Sequence, residues 1–244
     1  MRYLNIRLIE KESEKFADID KNPSNRQLKS ENEEFNYAIL DNGFQDFSDV
    51  SFLKIRNDLM SKKVNFDNLL GETSSNKIDK IAIGAFVEDE MVAVAVFSPV
   101  DDNDALLDKL CELKIGKTVR LEFLYVEKDH RGFLLSQKLM AIGEIFYRKE
   151  GYETGIITMK NIDYHMLNSA FKQSYTVVAL HEDSYILTCP LGNRLEDVVE
   201  QYSVRNKEMK WQQDVLDLGF VGMKCINYRA EDDFFVSYSK AYYY

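Results

Sequence analysis

The chain is poor in the residues that build disulfide frameworks and metal sites. Of 244 residues, 3 are Cys and 3 are His. Cys111, Cys189 and Cys225 have no short spacing. That excludes a zinc-ligand pattern and a disulfide scaffold, and it fits a reducing compartment. His130, His165 and His181 also lack ligand spacing, so no metal is expected. Long apolar runs are missing too. The most apolar stretch, residues 81–100, is broken by Glu88-Asp89-Glu90, which excludes a membrane span there. No long apolar run follows residues 1–7, so no signal peptide is expected. Positive charge is in short supply, with 31 basic against 41 acidic residues and a net charge of −10. A generic nucleic-acid or anionic-membrane binder needs a basic surface, so neither partner is expected. The acidic balance suits a cationic small molecule, and a soluble, cytoplasmic protein is expected.

What is present is enough for a sizeable core. Hydrophobic residues make up 45% and aromatics 12%, and the length fits one large domain, or one domain with an appendage. Residues 3–9 alternate Leu4, Ile6 and Leu8 with polar residues and predict a short strand. Residues 49–63 carry Val50, Leu53, Leu59 and Met60 near one helical face, with Asp49 as a candidate N-cap; residues 72–77 are a polar loop. Residues 80–87 and 91–98 predict a β-hairpin, and residues 104–113 a short helix. Residues 118–126 predict a strand. Residues 131–149 predict a helix, because Leu135, Leu139, Ile142 and Phe146 keep the spacing of one apolar face. A strand over 153–159, a helix over 163–173 and a hairpin over 175–180 and 185–189 follow. Beyond Pro190, residues 195–218 predict a charge-rich helix, and 221–228 with 234–238 predict two strands.

The stretch that carries chemistry runs from Val119 to Leu139. A strand enters a turn and then an amphipathic helix. The first amides of a helix lack internal partners and carry the positive end of its dipole, so a tight turn there suits a phosphate or pyrophosphate.

The residues of this stretch resemble the acetyl-CoA signature of the GNAT superfamily of N-acetyltransferases. That signature is a strand ending in Leu-x-Val, then Arg/Gln-x-x-Gly-x-Gly/Ala at a helix start. Leu124-Tyr125-Val126 matches the strand end and Arg131 the Arg/Gln position. Leu134 stands at the first Gly position, and Ser136 at the Gly/Ala position. Asn161 resembles the Asn often found after the family's fifth strand. Residues 170–175, Ala-Phe-Lys-Gln-Ser-Tyr, look like a shortened form of the family's Leu-Tyr-x-Lys-x-Gly-Phe, with Phe171 in place of the tyrosine that often serves as general acid.

The resemblance implies an α/β (α+β) fold, a mixed, mostly antiparallel twisted sheet with helices on both faces. It places a GNAT-like acyltransferase domain over 1–190 and a C-terminal α/β extension, a helix plus two strands, over 191–244. Residues 215–222 and the strands after them also look like a family C-terminal helix and hairpin. The alternatives are therefore an insertion at 163–190 or a partial second unit at 191–244.

The implied activity is acyl-CoA-dependent N-acyl transfer, with acetyl-CoA as donor substrate and a small-molecule or peptide amine as acceptor. Glu122, on the same side of the strand as Leu124 and Val126, would deprotonate the amine, directly or through water. Leu124, Tyr125, Val126, Arg131, Gly132, Phe133, Leu134, Leu135, Ser136 and Asn161 would bind the donor. Tyr125 and Tyr164 are candidate acids. Two alternatives stay open: a non-catalytic interaction or regulatory module of the same fold, and an enzyme like N-acyl amino acid synthases that uses a longer acyl donor.

Overall fold

Period-two runs become strands, and their depth of burial decides how they read in the sequence. The computed structural model describes residues 2–3, 35–44, 80–88, 90–100, 117–193, 201–230 and 232–240. Two compact units divide the chain: residues 1–99 with 121–147, and residues 100–120 with 148–244.

In the first unit, β1 (Arg2–Tyr3), β2 (Asn36–Phe44), β3 (Ile81–Val87) and β4 (Glu90–Pro99) pair in that order, each antiparallel to the next. The β3–β4 hairpin turns at Glu88, which takes a φ of 53. From Met91 to Ser98 every residue of β4 is buried. A strand covered on both faces reads as a continuous apolar run rather than an alternation. β5 (Thr118–Val126) follows, and the Glu127 N–H donates to the Val92 carbonyl at 2.9 Å. α1 (Leu135–Lys149) buries Leu135, Leu139 and Ile142. Gly143 lets α1 approach β4, since a Cβ there would lie 2.3 Å from the Phe97 ring. Tyr147, fully buried, donates its hydroxyl to the Phe97 carbonyl at 3.3 Å.

In the second unit, the Lys117 carbonyl accepts from the N–H groups of Glu153 (2.8 Å) and Thr154 (3.2 Å). This sets the start of β5 beside β6 (Thr154–Lys160). α2 (Tyr164–Lys172) is capped by Asp163, whose side chain accepts from the Met166 N–H. β7 (Thr176–His181), β8 (Ser184–Pro190), β9 (Tyr202–Arg205), α3 (Met209–Asp217), β10 (Val221–Ala230) and β11 (Asp233–Ser239) complete the unit. Its strands lie in the order β6-β8-β7-β10-β11-β9, all antiparallel. Residues 201–240 thus add strands to the sheet of β6, β7 and β8. The fold is mixed α/β with a mostly antiparallel sheet.

A buried polar cluster ties this unit together. Gln212 accepts at Oε1 from the hydroxyls of Tyr185 (2.9 Å) and Tyr238 (2.5 Å), and its Nε2 donates to the Asn206 carbonyl at 2.9 Å. Gln212 and Asn206 are both fully buried. Burial pushes the titration of both phenols up from its ordinary value, so they remain donors.

Several expectations are corrected. The helix expected from residue 131 begins at Leu135, because Gly132 (φ 100) and Leu134 (φ 60) are not helical. The helix expected over 195–218 is a strand and a shorter helix in its described part. Tyr202 to Arg205 pair with β11 from Tyr238 to Phe235, and Val204 is buried; sheet pairing overrides the helical pattern. β2 was not anticipated at all. The helices expected at 49–63 and 104–113, the loop at 72–77 and residues 4–9 of the first strand lie outside the described residues. Among the described residues no helix is long and apolar enough to cross a membrane.

Candidate functional site

β5 carries one face inward and one outward. Leu121 and Tyr125 are buried, Leu124 and Val126 are half-buried, and Glu122 is exposed. Glu122 therefore shares its side of the strand with Leu124 and Val126, as period two requires. It is not sunk in the core, however. Its Oε1 accepts a hydrogen bond from the hydroxyl of Ser98 on β4 at 2.5 Å, and Ser98 itself is 6% exposed.

After Val126 the chain makes a short 3-10 turn, Lys128–His130. The Arg131 side chain folds back, its Nε donating to the Val126 carbonyl at 3.3 Å. His130 Nδ1 lies 3.1 Å from Glu127 Oε2. Phe133 packs edge-on against Phe35 at 5.3 Å between ring centres, and Phe35 also meets the His130 ring at 6.3 Å. Gly132 is exposed, and a Cβ added there would meet nothing within 4 Å among the described residues. Two residues of the turn thus have positive φ, and only one of them is glycine. The first α-helical hydrogen bond runs from the Lys138 N–H to the Leu134 carbonyl at 3.0 Å. The amides of residues 135–137 precede it, at the positive end of the helix dipole. Ser136 is half-buried there, whereas the Leu135 side chain is spent on the core.

Asn161 belongs to the second unit and is buried. Its Nδ2 donates to the Asn206 carbonyl at 3.0 Å and contacts Met209 Sδ at 3.1 Å. Asn206 returns a bond from its Nδ2 to the Asn161 carbonyl at 2.9 Å. The side-chain amide of Asn161 is thus committed to residues 206–209. Tyr164 is likewise packed against residues far along the chain, with ring centres 4.4 Å from Tyr228 and 5.4 Å from Phe234. Where α2 ends, the Tyr175 N–H donates to the Ala170 carbonyl at 3.1 Å, and Ser174 takes a φ of 64.

No protein-family model and no curated protein matches the chain. Among solved structures it is similar to Arabidopsis thaliana NAA60 in complex with acetyl-CoA, at 11% identity, covering 65% of this chain and 99% of that one, with a TM-score of 0.47. It is also similar to PaiA N-acetyltransferase from Thermoplasma acidophilum in complex with coenzyme A, at 12% identity, covering 63% and 98%, with a TM-score of 0.44. In fold the chain is similar to GNAT-type N-acetyltransferases. At these identities the likeness is one of fold.

Leu134 (φ 60) and Ser174 (φ 64) both hold positive φ, a conformation that glycine adopts without cost and other residues rarely take. Of the expected site residues, the structure gathers Glu122, Leu124, Val126 and 131–136 along one strand–turn–helix of the first unit. Sequence reasoning missed Ser98, since a serine before a proline at a strand end carries no signal of its own.

Proposed function

We propose that the protein is an acyl-CoA-dependent N-acyltransferase that moves an acyl group, acetyl first among them, onto a primary amine. One observation carries this reading. The strand that holds an exposed, hydrogen-bonded carboxylate, Glu122, ends in a turn of alternating positive φ that opens directly into α1. Such a turn suits a diphosphate, because helix-start amides at a positive dipole end favour anions, and no described residue would crowd a Cβ at Gly132.

The donor supplies an activated thioester carbonyl. Glu122 takes a proton from the incoming amine, directly or through a water. The C–N bond forms as the C–S bond breaks. A backbone N–H of β5 stabilises the charge that develops on the carbonyl oxygen. The departing thiolate recovers a proton. Tyr125 is buried, and Tyr164 is packed among rings, so neither is assigned that donation. The net charge of −10 is compatible with a cationic acceptor.

Calorimetry with acetyl-CoA, CoA and a long-chain acyl-CoA tests the donor, and Glu122→Gln tests the base. Wild type and variant should bind acetyl-CoA alike, while turnover of the variant falls about 10²- to 10⁴-fold. Binding of none of the three would overturn the reading in favour of a non-catalytic module. Binding of the long-chain donor alone would move it to longer acyl groups. Near-wild-type turnover of the variant would remove Glu122 from the chemistry.

A further inference from the structure

We infer that Ser98 is a positioning residue that holds the Glu122 carboxylate in the orientation the reaction uses; this rests on the proposed acyl transfer. Glu122 is an exposed side chain with rotatable bonds, and an exposed carboxylate samples several rotamers unless something fixes it. Ser98 is placed to fix it. It lies near the end of β4, is 6% exposed, and precedes Pro99. Its hydroxyl donates to Glu122 Oε1 across the strand pair at 2.5 Å. A hydroxyl that donates to a carboxylate makes a charge-assisted bond, roughly twice as strong as one between neutral groups.

The donor is buried and the acceptor is exposed, so the bond ties the carboxylate to the covered strand. β4 is buried from Met91 to Ser98 and paired along its length with β3. The Glu127 N–H to Val92 carbonyl bond fixes β5 against the same strand. A hydroxyl is also the right chemistry for the task. It donates to one oxygen without placing a fixed positive charge beside a group that must accept a proton, as an Arg or Lys partner would. Misplacing a reacting group by an ångström costs on the order of 10²-fold in rate.

The test is a cycle of Ser98→Ala, Glu122→Gln and the double variant. Thiol release from acetyl-CoA is followed with spermidine, tyramine and lysine as acceptors. Ser98→Ala should lower kcat about 10- to 100-fold, with acetyl-CoA affinity and melting temperature little changed. Added to Glu122→Gln, it should cost nothing further, because the group it orients is already inert. Ser98→Thr, which keeps the donor, should recover most of the rate. A Ser98→Ala variant with wild-type kcat, or a loss that repeats in the Glu122→Gln background, overturns this role while leaving the acyl-transfer reading standing. No thiol release by the wild type overturns that reading and this role with it. The contact is then read separately, from the ¹³C carboxyl signal of Glu122, assigned by its disappearance in Glu122→Gln. A signal that Ser98→Ala leaves unmoved overturns the hydrogen bond itself.

Discussion

Replacing Leu134 in one variant by Ala and in another by Gly separates its side chain from its backbone conformation. Leu134 has a φ of 60, and its carbonyl accepts the first α-helical bond of α1. A left-handed conformation costs an L-residue about 1–2 kcal/mol. Glycine escapes that cost but gives up about 0.5–1 kcal/mol of chain entropy on folding. Both variants lose the half-buried leucine side chain equally, so that loss cancels between them. Leu134→Gly should therefore be more stable than Leu134→Ala by up to about 1.5 kcal/mol. For a chain of this size each kcal/mol corresponds to roughly 2–4 °C in melting temperature. Inside a helix the order would reverse, with Gly about 1 kcal/mol worse than Ala. Urea and thermal unfolding of the two variants, compared only with each other, decide the sign. A more stable Ala variant would refute the turn geometry and extend α1 back through residue 134.

Two more predictions concern the second unit. Hydrogen bonds from the Arg205 guanidinium, at 2.7 and 2.8 Å, hold the Asp233 carboxyl below the usual carboxylate range. A depressed folded value stabilises the fold above the unfolded value, about 3.9, and the gain is lost as pH falls through the folded value. Asp233→Asn should thus be less stable than wild type near about pH 6, with the gap closing as pH falls below the usual carboxylate range; a gap that ignores pH refutes the pair. Gln212→Leu strips both buried phenols, Tyr185 and Tyr238, of their shared acceptor. An unsatisfied buried group costs about 1–3 kcal/mol, so the loss should reach about 2–6 kcal/mol in urea. A loss under about 1 kcal/mol would show that the phenols find other partners.

What the sequence disclosed follows from how far each signal reaches along the chain. Hairpins such as β3–β4, β7–β8 and β10–β11 are local, and their alternation and turns predict them within a residue or two. The strand–turn–helix at Val119–Leu139 is local as well. Its helix start was misplaced because Leu134 adopts a glycine-like φ that its residue type does not announce. β9 was misread for a different reason. Tyr202-Ser203-Val204-Arg205 becomes a strand only through β11, about 30 residues later. At the site, the resemblance names Glu122 as a candidate, but neither its exposure nor its Ser98 partner could be read from the sequence. Asn161 pairs with Asn206, 45 positions away, and no spacing rule reaches that far.

The Asn161–Asn206 exchange and the shared Gln212 acceptor also set an order of assembly during translation. Synthesis runs from the N-terminus, and segments fold as they emerge. β6 and β8 leave the ribosome with Asn161 and Tyr185 in place, while Asn206, Gln212 and Tyr238 are still to be made. Until those residues emerge, the nascent sheet holds polar groups that await an internal partner and an edge, at β7, that awaits β10. Unpaired edges and exposed apolar surface are what make folding intermediates aggregate. The second unit is therefore a late-closing one. Ribosome stalling or premature release before residue 206 leaves a chain whose sheet lacks its last strands and the partners of Asn161 and Tyr185.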